Sequence, residues 1–249
     1  MLEIALGFGI ALAIGLTGVG AGVLTAPALL LLLGMPPKTA VGTALIFGGV
    51  VKLIAAPNYL WRKQVDFKVL AWMAAGGMPG VLLGTILLDH VLRASSALLY
   101  GVLGVIIVVS AALNIWRMWS AKRNEPTKDR RQWLPAVTFP IGLEFGFSSA
   151  GAGALGTIAV MGLTTLASAQ VVGTDVFFGL ILSLVGGGWQ FTTGNYDSAV
   201  LLRLLAGGVA GSFIGSQLSA VLPSRPLRFA LSLWLTVVGG QLCYRSLGA

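Results

Sequence analysis

The sequence predicts an all-α integral membrane protein of about eight hydrophobic segments, arranged as two duplicated four-segment repeats. Two features of composition lead to this class: 56% of the 249 residues are hydrophobic, and only 10% are charged. A soluble domain carries about a quarter charged residues, because its surface faces water. The third observation is that apolar runs recur along the chain, and a bilayer span needs roughly 20 such residues.

The first predicted segment begins at the N-terminus and is not expected to be a removable signal peptide. Glu3 is its only charge, and its apolar stretch is longer than the hydrophobic region of a signal sequence. The eight predicted segments, in chain order, are 2–33, 39–60, 67–88, 95–118, 134–165, 168–191, 198–220 and 227–245.

The net charge of +8 is concentrated between the fourth and fifth segments. A basic loop between spans is typical of the cytoplasmic side, and the loop 61–68 has the same character. A nucleic-acid site is the less favoured interpretation, and no nucleic-acid partner is expected. We therefore predict a basic cytoplasmic linker at 118–133. The basic residues of this region are Arg117, Lys122, Arg123, Lys128, Arg130 and Arg131.

An internal repeat relates the two halves of the chain. When the sequence is shifted by 131 residues, Val41-Gly42-Thr43 falls on Val172-Gly173-Thr174 without an insertion. This offset predicts a first transmembrane repeat at 1–117, the linker at 118–133 and a second repeat at 134–249. Other coinciding landmarks are Phe47-Gly48 with Phe178-Gly179, Asp66 with Asp197, Gly80 with Gly211 and Gly84 with Gly215.

The first segment of each repeat is predicted to be broken at a glycine-rich stretch, 15–22 in one and 146–153 in the other. Each parent segment has about 32 residues, which at 1.5 Å per residue is too long for one straight span. Irregular backbone within a membrane is tolerated only inside protein or beside a cavity, and a new helix N-terminus favours anions. The stripes Gly76–Gly84 and Gly207–Gly215 are instead interpreted as close helix packing.

Duplicated transporters hold their substrate between the halves near the bilayer midplane. We therefore place a substrate site at the two breaks and at the threonines that follow them, where backbone amides and hydroxyls are neutral donors. Neutral donors suit a transporter, which must release its anion as readily as it binds it. The candidate substrate-binding residues are Thr17, Gly20, Gly22, Thr43, Ser148, Ser149, Gly151, Gly153 and Thr174.

Two charged residues are set within predicted spans. Asp175 has no counterpart carboxylate in the first half and is the candidate coupling or proton-carrying residue, with a capping or packing role as the alternative. Lys52 is nine residues from Thr43, so the two side chains should not face one cavity. Because Lys52 is close to the Arg62 end of its span, extension to the membrane interface is favoured at least as much as contact with the substrate.

No metal, cofactor or enzymatic activity is expected. Cys243 is the only cysteine and His90 the only histidine, which leaves no set of Cys or His metal ligands. The chain also lacks a metalloprotease HExxH pattern and a Ser/His dyad near a break.

Both halves resemble the TauE/SafE sulfite-exporter family over nearly the whole chain. The resemblance lies in the order and repetition of several motifs rather than in any one of them. Lys63-Gln64 departs from the family pattern, where a glycine commonly precedes the Val-Asp pair, and Ala210 replaces the repeat partner of Pro79. The motifs are Pro27 after the first break, Ala40-Val41-Gly42-Thr43, Val65-Asp66, Gly76–Gly84, Val172-Gly173-Thr174-Asp175, Gly194-Asn195-Tyr196-Asp197 and Gly207–Gly215.

The resemblance implies a multi-pass permease of a bacterial or archaeal inner membrane, for organosulfur anions such as sulfite, sulfoacetate or aryl sulfonates. The leading hypothesis is secondary transport of such an anion, with a proton as coupling ion if Asp175 is buried. The alternative is a proton or metal-cation carrier that uses Asp175 and Glu144. The transport direction, the choice between parallel and inverted repeats, and the oligomeric state stay open, with a homodimer as one option; a hairpin at each break favours inversion.

Overall fold

The computed structural model describes residues 1–17, 21–94, 96–119, 129–150, 152–218, 233–234 and 236–244. These ranges contain helices and loops but no strand, so the all-α prediction is confirmed for them. Residues 236–244 are helical and lie within the predicted segment 227–245. The remaining helices are α1 (Leu2–Thr17), α2 (Ala21–Leu32), α3 (Pro37–Trp61), α4 (Phe67–Ala94), α5 (Ser96–Trp119), α6 (Leu134–Ser148), α7 (Ala152–Leu163), α8 (Ser168–Thr192) and α9 (Ser198–Leu218).

Four of these helices are long and apolar enough to cross a membrane. They contain the stretches Pro37–Trp61, Phe67–His90, Ser168–Thr192 and Ser198–Leu218. Shorter apolar helical stretches lie at Leu2–Leu16 within α1 and Gly104–Leu113 within α5. The chain therefore has the architecture of a multi-pass membrane protein.

The predicted segment 134–165 is broken, as the glycine-rich stretch indicated. Helix α6 ends at Ser148, and Ser149 adopts left-handed backbone with φ 63° before α7 begins. Segment 2–33 likewise contains two helices, α1 and α2, on either side of residues 18–20. Residues 18–20 lie outside the described residues, as do Gly151 and most of the predicted linker 118–133, namely 120–128.

Helices α6 and α7 fold back on each other as a hairpin. The Arg130 N–H, just before α6, donates to the carbonyl oxygen of Leu163 at the end of α7 over 2.8 Å. The segment therefore enters and leaves on one face of the molecule. We call it the linker face, because the 61–68 loop and residues 129–133 also lie there.

Helices α1 and α2 form the corresponding hairpin from the opposite face, which carries Met1 and Gly34. Arg203 pairs with Glu3 over 3.1 Å, which places the start of α1 beside the start of α9. The Asp197 N–H donates to Thr43 Oγ1 over 3.1 Å, which places the start of α9 beside the start of α3. Since α3 begins soon after α2 ends, α2 returns to the face where α1 began.

Glycines join each hairpin to a helix of the other half. A Cβ at Gly207 or Gly211 would collide with backbone of α1, and a Cβ at Gly76 or Gly80 would collide with backbone of α6. The packing interpretation of these two stripes is therefore confirmed. Along each pair of helices, the residue numbers of the contacting residues increase in the same direction. Helix α1 therefore runs parallel to α9, and α4 runs parallel to α6. These meeting pairs are Gly207 with Ile4, Gly211 with Phe8, Gly215 with Leu12, Gly76 with Pro135, Gly80 with Phe139 and Gly84 with Leu143.

Helices α3 and α8 cross at the centre of the molecule and run antiparallel. Gly49 approaches Ser183, and Gly187 approaches Ile46, so the residue numbers rise on one helix as they fall on the other. The large side chains of Phe47 and Phe178, at corresponding positions of the two helices, are fully buried beside this crossing. This central pair positions the site described next.

Candidate functional site

Lys52 and Ser183 meet where α3 crosses α8. The Lys52 ammonium donates to Ser183 Oγ over 3.3 Å, and the two residues are separated by 131 positions, the offset that relates the two halves. Lys52 is three residues past Gly49, the midpoint of the 25-residue helix α3. The contact therefore lies deep within the span and not at its end.

Of the two alternatives for Lys52, extension to the membrane interface is wrong. Its side chain is 5% exposed. A Cβ built on Gly179 of α8 would lie 2.5 Å from its Nζ, so the glycine leaves the room that the ammonium occupies. The ammonium also lies 5.1 Å from the centroid of the Phe145 ring on α6, within range of a cation–π interaction. Helix α8 covers the lysine before it can reach an interface.

Asp175 supplies a carboxylate on the same side of α8. Asp175, Gly179 and Ser183 are spaced four residues apart and so share one helical face. Asp175 is 3% exposed, and its carboxylate acts electrostatically on the Lys52 ammonium. A buried carboxylate therefore lies on the face of α8 that meets Lys52, two helical turns before Ser183 toward the linker face.

Helix α7 holds Asp175 from the other side. Thr157 Oγ1 lies 2.6 Å from Asp175 Oδ2 and 2.8 Å from the carbonyl oxygen of Gly153. A Cβ on Gly156 would collide with Asp175 Oδ1, so the carboxylate lies directly against the backbone of α7. The Lys52 and Asp175 groups therefore touch both legs of the α6–α7 hairpin, the first through Phe145 and the second through Thr157.

The tip of the α6–α7 hairpin is polar and buried. Ser148 is 1% exposed and Ser149 is 0% exposed. Ser148 Oγ lies 2.9 Å from Glu144 Oε1 and accepts a hydrogen bond from the Ala150 N–H over 3.0 Å. The tip thus offers hydroxyl groups inside the protein, one turn beyond the Phe145 ring that faces Lys52.

Thr43 and Thr174 lie apart from this centre, near opposite faces of the molecule. Thr43 Oγ1 accepts from the Asp197 N–H, and Thr174 Oγ1 accepts from the Asp66 N–H over 3.0 Å. Each threonine therefore binds the loop before the fourth helix of the other half, α9 for Thr43 and α4 for Thr174. Their observed contacts are structural, and the structure does not bring these hydroxyls to the hairpin tips.

The other predicted site residues are placed less completely. Thr17 is the last residue of α1 and Gly22 the second residue of α2, while Gly153 is half-buried in α7. Gly20 and Gly151 lie outside the described residues. The described residues thus bring Ser148, Ser149 and Gly153 into one hairpin, with Asp175 joined to it through Thr157.

Sequence reasoning missed Lys52, Ser183 and Thr157 as parts of the centre. One signal could have found the first two: the 131-residue offset that aligns the halves also aligns Lys52 with Ser183. A buried two-fold relation between the halves would bring such matched positions together. The sequence did not indicate a role for Thr157, because the residue 131 positions before it, Ala26, is apolar.

No group of three or more His, Cys, Asp or Glu side chains within the described ranges could hold a metal ion. The polar centre instead combines one ammonium with hydroxyl groups and two carboxylates, those of Asp175 and, nearer the tip, Glu144. An ammonium in a site of low dielectric constant attracts an anion far more strongly than it would in water.

Comparison with known proteins gives a family and several relatives. Residues 3–242 match the profile of the family described as Sulfite exporter TauE/SafE. The chain is 32% identical to a probable membrane transporter protein of Bacillus subtilis (strain 168), YjnA, over 242 residues, which cover 92% of this chain and 94% of that one. It is 37% identical to a probable membrane transporter protein of Xylella fastidiosa (strain 9a5c) over 107 residues, or 43% and 41% of the two chains. No solved structure matches the chain.

Proposed function

The chain belongs to the TauE/SafE sulfite exporter family of membrane transporters, and we propose that it is a secondary permease for a small anion, either sulfite or an organosulfonate. The substrate binds near the bilayer midplane, between the two halves. Lys52 supplies its positive charge, and the serines of the α6–α7 tip supply neutral donors, with Thr17, Gly20, Gly22, Gly151 and Gly153 in the backbone around it.

The single observation that carries this proposal is the buried ammonium of Lys52. Burying an isolated charge costs several kcal/mol even after relaxation, so a membrane span retains one only where it has a partner or a function. Lys52 lies where α3 and α8 cross, the place at which a substrate could be reached from either half. An oxyanion would gain both the charge and the Ser183 hydroxyl there.

The helix arrangement supports a duplicated, inverted architecture of two four-segment repeats. Adding 131 to the bounds of α2 and α3 yields the bounds of α7 and α8. Since α3 and α8 are antiparallel, a two-fold axis that relates them would lie in the membrane plane. The two broken segments then enter as hairpins from opposite faces, an arrangement that inverted-repeat transporters use to place a site at mid-membrane.

The experiment compares uptake of labelled sulfite, labelled sulfoacetate and labelled manganese into proteoliposomes. We expect uptake of at least one anion, and we expect Lys52→Met to abolish it while leaving the protein folded. Lys38→Met is the matched control, because Lys38 lies on the same helix but pairs with Asp89 at its outer end over 2.9 Å. Uptake of manganese without either anion would instead support the cation carrier that uses Asp175 and Glu144.

The same proposal includes the type of membrane and the orientation of the protein in it. We place the protein in the cell inner membrane with the basic linker 118–133 in the cytoplasm, because basic loops are retained on that side. Arg62, Lys63, Lys68, Arg130 and Arg131 lie at the linker face. A cysteine at Lys63 should therefore resist an impermeant thiol reagent applied to intact cells, whereas a cysteine at Gly34 should react.

A further inference from the structure

We propose that Asp175 is the internal competitor of the substrate for Lys52, so that each monovalent anion that binds is accompanied by a proton on Asp175. This inference rests on the proposed function and adds its coupling ion and the charge of its substrate. The substrate is then a singly charged oxyanion, such as hydrogen sulfite or a sulfonate.

Lys52 meets the face of α8 that carries both Asp175 and Ser183. Its Nζ lies against Gly179, which is one helical turn from Asp175 and one turn from Ser183. The ammonium thus lies between a carboxylate and a hydroxyl, bound to the hydroxyl and about one helical turn from the carboxylate. In the absence of substrate, Asp175 balances its charge.

Binding of an anion changes the charge of this site. Lys52 and Asp175 together are neutral, and a bound monovalent anion adds one negative charge to a buried site that also contains the Glu144 carboxyl. Such a charge is costly in a medium of low dielectric constant. If Asp175 takes one proton from the water at the open face, the net charge of the site is the same as before the anion bound. The anion and the proton are then released together on the other face, and no covalent bond to the substrate forms or breaks.

Few charged side chains lie on the helices around Asp175. The elements that pack against α8 are α3, α4, α6 and α7. Helix α3 supplies Lys52, and α6 supplies Glu144, whose Oε1 lies 2.9 Å from Ser148 Oγ. Helix α4 carries no charged side chain between Lys68 and Asp89, and α7 carries none. In the described part of these helices, Lys52 is thus the only buried cation, while Lys68 is exposed at the start of α4, where the Asp66 N–H binds Thr174.

Asp175 and Lys52 contact the two legs of the α6–α7 hairpin. Asp175 is held to α7 through Thr157 and Gly156, while Lys52 faces Phe145 on α6. A change of partner at Lys52 therefore alters the contacts of both legs of one hairpin. A substrate that enters between them can bias the position of the hairpin through this pair, as any ligand-driven change requires differential contacts in the two states.

The experiment uses the full-length protein in proteoliposomes with labelled sulfite and a trapped pH-sensitive dye, at a pH on both sides low enough that the anion stays hydrogen sulfite and releases no proton of its own. For the wild type we expect sulfite uptake to be accompanied by proton uptake. For Asp175→Asn we expect sulfite to bind several-fold more tightly to the purified protein, because its competitor is gone, and sulfite-driven proton uptake to disappear. Asp89→Asn is the matched control, because it removes a carboxylate at the outer end of α4, and it should leave both quantities unchanged.

The outcomes separate this inference from the proposed function. If the wild type fails to bind sulfite or sulfoacetate, or Lys52→Met binds them as the wild type does, the proposed site is wrong. If Lys52→Met loses binding but Asp175→Asn keeps the wild-type ratio of proton to sulfite, or loses sulfite binding while folded, the competitor role is wrong and the site stands. Asp175→Ala guards against misfolding of the first variant, because alanine is the residue at the corresponding position, Ala44, in the first half.

Discussion

The two hairpins of this protein have corresponding positions in the fold but very different chemistry. In the second half, Glu144, Ser148 and Thr157 surround a buried carboxylate, Asp175. The residues at the matching positions of the first half are Ala13, Thr17, Ala26 and Ala44. The bounds of α2 and α3 recur in α7 and α8 at an offset of 131 residues, whereas of these four polar side chains only the hydroxyl of Ser148 recurs, as Thr17.

This difference teaches that packing and chemistry are under separate constraints in the two halves. The glycines at Gly80 and Gly211 meet backbone in both halves, so neither position can accept a side chain without moving a helix. The central positions 52 and 183 carry an ammonium in one half and a hydroxyl in the other. One charge on a two-fold axis can serve both halves, and a second ammonium there would be repelled by the first.

The largest expected effect tests whether the packing is equivalent in the two halves. Gly80→Leu and Gly211→Leu should each prevent accumulation of folded protein, because the added side chain meets main-chain atoms of a neighbouring helix, and overpacking that cannot relax costs about 3 kcal/mol or more. Gly9→Leu and Gly162→Leu are controls, since a Cβ at either position meets nothing within 4 Å. Thermal unfolding of detergent-purified protein gives the measurement, and a stable Gly211→Leu protein would show that the two interfaces differ.

The second prediction sharpens the chemical difference by adding the missing acid to the first half. Ala44 is 0% exposed. Ala44→Asp should lower the free energy of unfolding by about 3–5 kcal/mol, because a buried carboxylate without a cation is left uncompensated. Ala44→Asn, of similar volume, should destabilise less, and the gap between the two melting temperatures isolates the charge. Equal melting temperatures would mean that the first half can also neutralise a carboxylate.

The third prediction exchanges the charge across the axis. Lys52→Ser alone should lose sulfite binding, and the double variant Lys52→Ser with Ser183→Lys should regain at least tenfold of it, about 1.4 kcal/mol. The reason is that Lys52 Nζ and Ser183 Oγ already lie 3.3 Å apart, so an ammonium from either helix can reach the same place. Scintillation proximity binding of labelled sulfite measures the recovery. If the double variant does not regain sulfite binding, the ammonium must be carried by α3.

The smallest effect concerns the two threonines that bind the loops. Thr43→Val and Thr174→Val should each cost about 0.5–1.5 kcal/mol of unfolding free energy, the usual net worth of one hydrogen bond. The two costs should agree, because the bonds from Asp197 and Asp66 are 3.1 and 3.0 Å long. Transport should weaken less than for Lys52→Met. A complete loss of transport in Thr174→Val alone would restore that threonine to the substrate site.

Much of the fold was predictable from the sequence. The predicted segments 39–60 and 168–191 differ by no more than two residues from α3 and α8 at either end, because a long apolar run in lipid must be helical to satisfy its own backbone. The break near Ser149 was predictable because a segment of that length cannot cross once in a straight line. The packing stripes followed from small residues at a four-residue spacing.

The candidate centre was predictable only in part. Asp175 was identified from the cost of a carboxylate within a span, and its burial agrees with that reasoning. The prediction that the side chains of Thr43 and Lys52 do not face one cavity is also confirmed, since Thr43 binds a loop while Lys52 lies at the crossing of α3 and α8. The interface alternative for Lys52 was wrong, because that inference considered only the distance to the end of its own helix.

The sequence by itself determined the membrane class, the 131-residue offset and the positions where helices must break or approach closely. These are local properties, set by hydrophobicity along the chain and by the volume of each residue. Only the tertiary structure decided that Lys52 meets Ser183 and Gly179, and that Thr157 holds Asp175. The partners of Lys52 lie more than 90 residues away along the chain, and whether a buried charge faces water, lipid or a carboxylate depends on how the helices cross.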